Sequence, residues 1–216
     1  MIAALYVETN GVYFGLPDVD PWDVERDARN YAGPWPVVAH PPCARWSQLA
    51  AVCEARYGIK RGEDGGLFAR ALEQVREHGG VLEHPAQSTA WARYQLIPPA
   101  YGRWNGSLFS DNEWSTEVFQ RNYGHRALKK TWLLYVGAHP PALNWSAPEA
   151  PEAWISTDRP TRELVVEHMG KKERSATPIE FRDLLLSIAR SAAGAKSDAW
   201  RTRCVMSTEN MTLDSI

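Results

Sequence analysis

The sequence lacks the features that mark several large classes of protein. Its net charge is −2 over 216 residues, so no global excess of basic residues indicates nucleic-acid binding, and any such surface must be local. The three cysteines form no Cys-x-x-Cys pair, which favours free thiols in a reducing cytoplasm. The apolar run over residues 1–7 stops at Glu8 and is too short for a secretory signal or a membrane span. These absences predict a cytoplasmic protein of one domain without membrane contact.

The most informative segment that is present runs from Val37 to Cys43. The apolar residues Val37–Ala39 predict a short buried strand, and two prolines stop it because proline cannot extend a strand ladder. Cys43 follows on a stiff turn at the carboxyl end of that strand, where open α/β sheets place reacting groups. An isolated cysteine of this kind is more often a small buried hydrophobe, so a partner residue must decide between the two interpretations.

A second strand further along the chain supplies that partner. Helical spacing of apolar residues predicts a helix over residues 66–78, and a strand over 80–83 follows it. This strand ends in Glu83 and is again followed by a proline. If the two strands are parallel neighbours, Cys43 and Glu83 emerge at the same edge of the sheet.

The remaining segments complete an α/β pattern, which we predict to form one domain over residues 1–190. They are a strand over 3–7, an acidic loop over 12–35 with a short helix near 22–31, an irregular stretch over 44–66, a loop-rich recognition or lid segment over 86–125, a strand over 131–136, a helix from the capping box at 177–180, and a flexible tail over 191–216. Tryptophans in polar loops, at 46, 91, 104 and 114, favour either ligand stacking or the packing of a loop-rich protein.

A thiolate paired with a carboxylic acid suits chemistry on a pyrimidine ring. The thiolate adds to C6 while the acid hydrogen-bonds N3, and the charge that moves into the ring makes C5 nucleophilic. On duplex DNA such a site can act only on a base that has been swung out of the stack.

These motifs resemble those of the cytosine-C5 DNA methyltransferases. His-Pro-Pro-Cys at 40–43 and Leu-Glu-His-Pro at 82–85 are similar to the Pro-Cys and Glu-Asn-Val or Glu-Asn-Pro motifs of that family. Small phage and prophage proteins often labelled cytosine methyltransferase-like share this pattern, together with Tyr-Gly-His-Arg and Lys-Lys-Thr-Trp-Leu, found here at 123–126 and 129–133. The resemblance spans roughly residues 30–190.

The resemblance implies a compact Rossmann-like sheet and a DNA-modifying transferase in a bacterial or phage-infected cell. Cys43 would be the nucleophile, Glu83 the acid at N3, and Arg126 a contact to the base or its phosphate. The turn Arg45-Trp46-Ser47 would lie near the flipped nucleotide. Further residues expected to contact the substrate are His40, His84, Arg121, Tyr123, His125, Lys129 and Lys130, whose basic and aromatic side chains suit phosphates and a displaced base. A second basic cluster lies at 171–174.

The sequence departs from the family where the methyl donor should bind. S-adenosylmethionine needs a Gly-rich turn after the first strand, but the turn at 8–13 holds one glycine. The stretch from Gly11 to Pro36 is also too short for two further strand–helix units. Two alternatives stay open: a reduced cofactor half in which Glu8, Asn10, Gly11 and an acid such as Asp18 or Asp20 hold the donor, or a different electrophile.

Two functions of other classes compete with base modification. A zinc hydrolase or deaminase would use ligands drawn from His40, Cys43, Glu83, His84 and His125, although no second paired-ligand motif is present and we expect no metal. A non-catalytic DNA-binding relative would have kept the sheet and lost the donor pocket, and its function would not depend on Cys43.

Overall fold

A seven-stranded mixed sheet runs through the part of the chain that the computed structural model describes, residues 1–48, 50–58, 60–108, 110–155 and 167–192. Its strands are β1 (Ile2–Leu5), β2 (Val19–Trp22), β3 (Val37–Ala39), β4 (Gly80–Pro85), β5 (Asn105–Gly106), β6 (Glu113–Phe119) and β7 (Lys130–Val136). The order is β2-β1-β3-β4-β7-β6-β5, with parallel pairs from β2 to β4 and antiparallel pairs from β4 to β5. A small parallel sheet pairs β8 (Ala153–Trp154) with β9 (Glu167–His168).

The described helices are few, and two of them cover the sheet. They are α1 (Ala50–Tyr57), α2 (Leu67–His78), α3 (Thr89–Arg93), α4 (Lys171–Ser175) and a helix over residues 179–192, here α5. Short 3-10 turns lie at Ala28–Asn30 and Gln120–Tyr123. Within the described ranges, no helix combines the length and apolar character needed to cross a membrane.

The core forms on both faces of the parallel strands. Phe68, Leu72 and Val75 of α2 pack on one face, with alternate residues of the strands such as Leu5 and Leu82. The other face packs against α5; its buried residues include Ile2, Val38, Val81, Leu133, Phe181, Leu185 and Ile188. Burial on two faces explains why these strands have nearly continuous apolar sequences instead of alternating ones.

The predicted neighbours are confirmed. β3 and β4 pair in parallel, with Val37 opposite Gly80 and Ala39 opposite Leu82. The helix predicted over 66–78, the strand over 131–136 and the helix after the capping box also form, with bounds that differ by a residue or two. The α/β class is therefore correct, and the segments after β3 and β4 leave the same edge of the sheet.

Several elements were missed, mostly short ones, and three of them show why. β2 lies in the stretch predicted as an acidic loop, and its Pro21 is tolerated because β2 is an edge strand. α1 lies in the stretch predicted as irregular, and its described side chains are mostly exposed. β6 lies within 86–125, where pairing with β7 compensates for a polar sequence. In the predicted tail, residues 191 and 192 belong to α5, and residues 193–216 lie outside the described ranges.

We expect Gly80→Ala to destabilise the fold strongly, because β4 approaches β3 most closely at this glycine. Gly80 has φ +119°, and a Cβ there would collide with the backbone of Val37. Gly102→Ala is the matched control, since Gly102 also has positive φ (+84°) but a Cβ added there would meet no atom within 4 Å. In thermal or denaturant unfolding, Gly80→Ala should lower the free energy of unfolding by at least about 2 kcal/mol more than Gly102→Ala does. Equal losses would mean that this close approach does not limit the packing of β4.

Candidate active site

A cavity of about 600 Å³ opens at the edge of the sheet where β1, β3 and β4 end. Three segments that follow these strands form its floor, and the loop before β7 and the α4 segment form its walls. Polar side chains that line it include Glu8, Tyr13, His40, Cys43, Ser47, Glu83, Gln120, Lys129, Lys130, Lys172 and Arg174. The topology thus gathers at one place side chains from widely separated parts of the sequence.

Cys43 lies in the tight turn that follows β3 and the two prolines. Its carbonyl accepts hydrogen bonds from the backbone N–H groups of Trp46 and Ser47, each at 3.0 Å, which closes the turn. The residue is exposed and its thiol is free. The dense surroundings of the sulfur, and then the carboxylate of Glu83, raise the pKa of the thiol above its ordinary value. At neutral pH the sulfur therefore carries its proton.

Glu83 projects into the same cavity from β4. Its Oε2 lies 3.0 Å from His40 Nδ1, and its Oε1 lies 3.4 Å from the side-chain nitrogen of Gln120. Burial acts to raise the pKa of Glu83, but its interaction with His40, together with the charge of Lys129, outweighs that effect. The pKa is lowered, so the resting group is a carboxylate.

Tyr13 completes a row of hydrogen-bonded side chains behind Glu83. Its hydroxyl lies 2.8 Å from His40 Nε2, and its side chain is buried, 2% exposed. Burial, and then the nearby carboxylate of Glu83, raise the pKa of Tyr13 well above its ordinary value. The phenol therefore keeps its proton.

Four basic residues line the cavity, and together we call them the cationic rim: Lys129, Lys130, Lys172 and Arg174. Lys129 Nζ donates to the carbonyl of Ala176 at 3.2 Å, which links the loop before β7 to the α4 segment. Burial lowers the pKa of Lys129, although the charges of Glu83 and Cys43 oppose that effect. Positive charge is thus concentrated beside the thiol and the carboxylate.

The structure brings together part of the predicted site. The predicted residues that line the cavity are Glu8, Gly11, His40, Cys43, Ser47, Glu83, Lys129 and Lys130. Sequence reasoning missed Tyr13 and Gln120, and noted Lys172 and Arg174 only as a separate basic cluster. Lys172 and Arg174 carried a charge signal, whereas nothing local in the sequence marked Tyr13 or Gln120.

Two predicted substrate contacts lie in the core instead. His84 is fully buried between Phe68 and Trp91, and burial lowers its pKa to about 4. It follows Glu83 in β4 and so points to the opposite face of the sheet. Trp46 is 3% exposed, packs on Phe68 and donates its indole N–H to Asp64 at 2.8 Å.

The other tryptophans singled out from the sequence also pack inside the protein. Trp91 is buried, and the indole N–H groups of Trp104 and Trp114 donate to the carbonyls of Pro141 and Gly137. None of the four lines the described cavities. Their packing is consistent with a structural role in a loop-rich protein.

Most of the predicted Tyr-Gly-His-Arg segment also lies outside the cavity. His125 is buried, its Nδ1 accepts from the backbone N–H of Ala127, and burial lowers its pKa to about 4. Tyr123 packs against Phe181 of α5. Arg45 is partly exposed and does not line the cavity.

The two arginines predicted to meet DNA are paired with glutamates. Arg121 lies 2.8 Å from Glu152 and 3.4 Å from Glu149. Arg126 contacts Glu173 of α4 at 2.7 Å and Glu167 of β9 at 3.1 Å. These ion pairs fasten the α4 segment and the small sheet to the loop before β7, and they occupy the guanidinium groups.

The residues predicted to hold S-adenosylmethionine do not gather in one site. Glu8 and Gly11 line the cavity, but Asn10 and Asp20 do not. Asp20 instead accepts from the indole of Trp22 and pairs with Arg26 at 2.6 Å. The turn after β1 leaves no open space at Gly11, because a Cβ there would lie 2.8 Å from the carbonyl oxygen of Glu8. As placed, these residues do not fit the cofactor, and we assign no step to it.

A second cavity of about 400 Å³ adjoins the first. The two share Tyr6, Val7 and Pro42, so the second lies directly beside the turn that carries Cys43. Asp23 and Asp27 line it, near the carboxyl ends of β1 and β2.

The five residues considered as zinc ligands do not converge, because His84 and His125 are buried away from Cys43. Among the described residues, no group of three or more His, Cys, Asp or Glu side chains could hold a metal ion. In comparisons with known proteins, no family model, curated protein or solved structure matches the chain. Function must therefore be inferred from the cavity itself.

We expect the charges around Cys43 to control its alkylation. Glu83→Gln removes the carboxylate that raises the thiol pKa, so the rate with iodoacetamide at pH 7 should rise by at least about threefold. Lys129→Met removes a charge that lowers the thiol pKa, so the rate should fall. Peptide mass spectrometry separates Cys43 from Cys53 and Cys204. Changes of the same sign in both variants would contradict the electrostatic assignment.

Proposed function

We propose that the protein is a DNA-modifying enzyme of the cytosine-C5 type, built on a Rossmann-like sheet with a reduced cofactor half. Cys43 attacks C6 of a flipped pyrimidine, and Glu83 donates a proton to N3. The observation that carries the proposal is the meeting of Cys43 and Glu83, from the ends of neighbouring parallel strands, in one cavity. The resemblance of the two motifs to cytosine-C5 methyltransferases points the same way.

The resting protonation states of Cys43 and Glu83 suit this reaction. Attack needs a thiolate, and N3 of cytosine is an acceptor that needs a donor. At rest the proton is on sulfur and Glu83 is a carboxylate, since the thiol pKa is raised and the carboxyl pKa lowered. Transfer of the thiol proton to Glu83 creates both reactive forms at once. No further proton has to enter the site.

The ring electrons then move in one direction. The sulfur–C6 bond forms, the C5=C6 pair moves to C4–C5, and the C4=N3 pair moves to N3, which takes the proton from Glu83. C5 is now nucleophilic and accepts an electrophile. The N3 proton returns to Glu83, water takes up the C5 proton, and expulsion of the sulfur from C6 restores the aromatic ring. The proton on Glu83 then returns to the expelled thiolate.

The cationic rim supports a nucleotide as the substrate. A base that reaches Cys43 and Glu83 would leave its phosphates near the basic side chains that line the cavity. The positive surface that would neutralise these phosphates is confined to this cavity, which agrees with a net charge of −2 for the whole protein. A base in duplex DNA would have to be extruded to enter the cavity.

The first test needs no electrophile other than water. In D₂O, reversible attack at C6 lets C5 take up a deuteron, so single-stranded DNA should lose its cytosine C5 hydrogen. We expect Cys43→Ser to abolish this exchange, and Cys204→Ser to leave it unchanged. Mass spectrometry of the nucleosides measures both. DNA containing 5-fluorocytosine should give a denaturant-stable adduct that depends on Cys43 once an electrophile such as the methyl group of an added donor has been placed on C5, because fluorine cannot then leave as a proton does.

The competing functions make different predictions in the same assays. A wild-type protein that binds DNA but shows neither exchange nor adduct would support a non-catalytic DNA-binding protein. A bound metal, detected by elemental analysis together with hydrolysis or deamination, would support the zinc alternative. Either result would overturn the covalent mechanism.

We expect Lys172→Gln to weaken binding of single-stranded DNA and to reduce the slope of log affinity against log salt by about 0.7. Lys172 lines the cavity and loses one phosphate contact in this variant. Lys171→Gln is the matched control, because Lys171 is the preceding residue of α4 and does not line the cavity. Salt titrations by fluorescence anisotropy measure both variants. Equal slopes for the two would remove Lys172 from the phosphate site.

A further inference from the structure

The row of hydrogen bonds behind Glu83 has a definite direction. A carboxylate oxygen can only accept, so His40 carries a hydrogen on Nδ1 and donates it to Glu83 Oε2 at 3.0 Å. In the neutral imidazole Nε2 is then the acceptor, and the Tyr13 hydroxyl, 2.8 Å away, donates to it. Every bond in the row thus points toward the carboxylate.

The two oxygens of Glu83 are held unequally. Oε2 receives the bond from His40, whereas the nitrogen of Gln120 lies 3.4 Å from Oε1, at the weak end of hydrogen-bonding distances. That nitrogen also donates to Thr131 Oγ1 at 2.9 Å, the shorter of its two contacts. Oε1 is therefore the oxygen that can exchange a proton at the smaller cost.

The position of Tyr13 is fixed by the core and does not depend on a ligand. Its ring is buried in the apolar cluster that includes Phe181 and Leu185 of α5. The preceding residue, Val12, accepts a hydrogen bond at its carbonyl from Arg182 of the same helix at 2.9 Å. The hydroxyl is thus presented to His40 by a rigid segment, which suits a residue that orients another.

We propose that Tyr13 and His40 are positioning residues, which hold Glu83 by Oε2 and leave Oε1 to carry the proton between Cys43 and the base. This inference rests on the proposed function of Cys43 and Glu83. The proton passes from the sulfur to Oε1, then to N3, and returns by the same route. Tyr13 and His40 keep their own protons throughout.

The hydrogen bond from His40 to Oε2 also sets the pH below which the activity falls. The pair works only while it shares one proton, and activity falls when Glu83 is protonated as well as Cys43. Loss of the hydrogen bond from His40 raises the pKa of Glu83, so this acid limb moves to higher pH. The titratable groups that interact electrostatically with Glu83 are Tyr13, His40, Cys43 and Lys129 beside it and His84 on the opposite face of the sheet, and those near Tyr13 also include Arg182 and Asp183.

The pH profile of C5–H exchange tests the proposal. We expect His40→Leu and Tyr13→Phe to move the acid limb upward, by at least about 0.5 pH unit for His40→Leu, and to leave the alkaline limb in place. His40→Asn keeps a donor near the position of Nδ1 and should restore the wild-type limb. Tyr135→Phe, which removes a buried hydroxyl bonded to His139 at the other end of β7, is the control.

A second readout does not depend on catalysis. Nitrogen-15 spectra should show hydrogen on Nδ1 of His40 in the wild type and a larger Nε2–H population in Tyr13→Phe, with the signal assigned by its loss in His40→Asn. Two results would overturn the positioning role alone. One is exchange in the wild type with no shift of the acid limb in His40→Leu and Tyr13→Phe, and the other is a hydrogen on Nε2 of His40 in the wild type. Absence of exchange in the wild type, with the expected spectra, would overturn the proposed function and leave the hydrogen-bond row intact.

Discussion

The close parallel approach of β4 to β3 is the constraint on which the candidate site depends. Gly80 permits it, since any side chain there would collide with the backbone of Val37. The register that follows places Leu82 beside Ala39, so Glu83 emerges next to the turn that holds Cys43. Cys43 and Glu83 therefore line one cavity because the main chains of β3 and β4 can come together.

Charge is distributed so that its effects stay local. Arg121 and Arg126 are engaged by glutamates, while the cationic rim stands around the cavity that holds Cys43 and Glu83. A molecule with a net charge of −2 can in this way present a positive surface in one cavity. Lys129 helps to keep the carboxyl of Glu83 ionised, whereas burial and the Glu83 carboxylate keep the thiol of Cys43 protonated against the charges of Lys129 and Arg174. This is the starting state that the proposed proton transfer needs.

Local sequence patterns predicted the strands that position Cys43 and Glu83, but not the residues that support these two side chains. The apolar run before Cys43 and the strand that ends in Glu83 are short-range signals, and both strands form. Tyr13 was missed because its position is set by α5, far away in the sequence. His84 could have been placed from the sequence, since neighbouring residues of a strand point to opposite faces. Trp46 could not, because a polar loop gives no sign of the core beneath it.

The pairing of Arg126 with glutamates has a mechanical consequence for the entrance to the cavity. α4 is five residues long and has no buried residue, so neither its length nor its packing can hold it in place. Its attachment includes the contact of Arg126 with Glu173 and the bond from Lys129 to Ala176. One wall of the entrance is thus fastened largely by charge, and an arriving polyanion competes with Glu173 for the same guanidinium. Salt weakens both the attraction of a polyanion to Arg126 and the ion pair of Arg126 with Glu173.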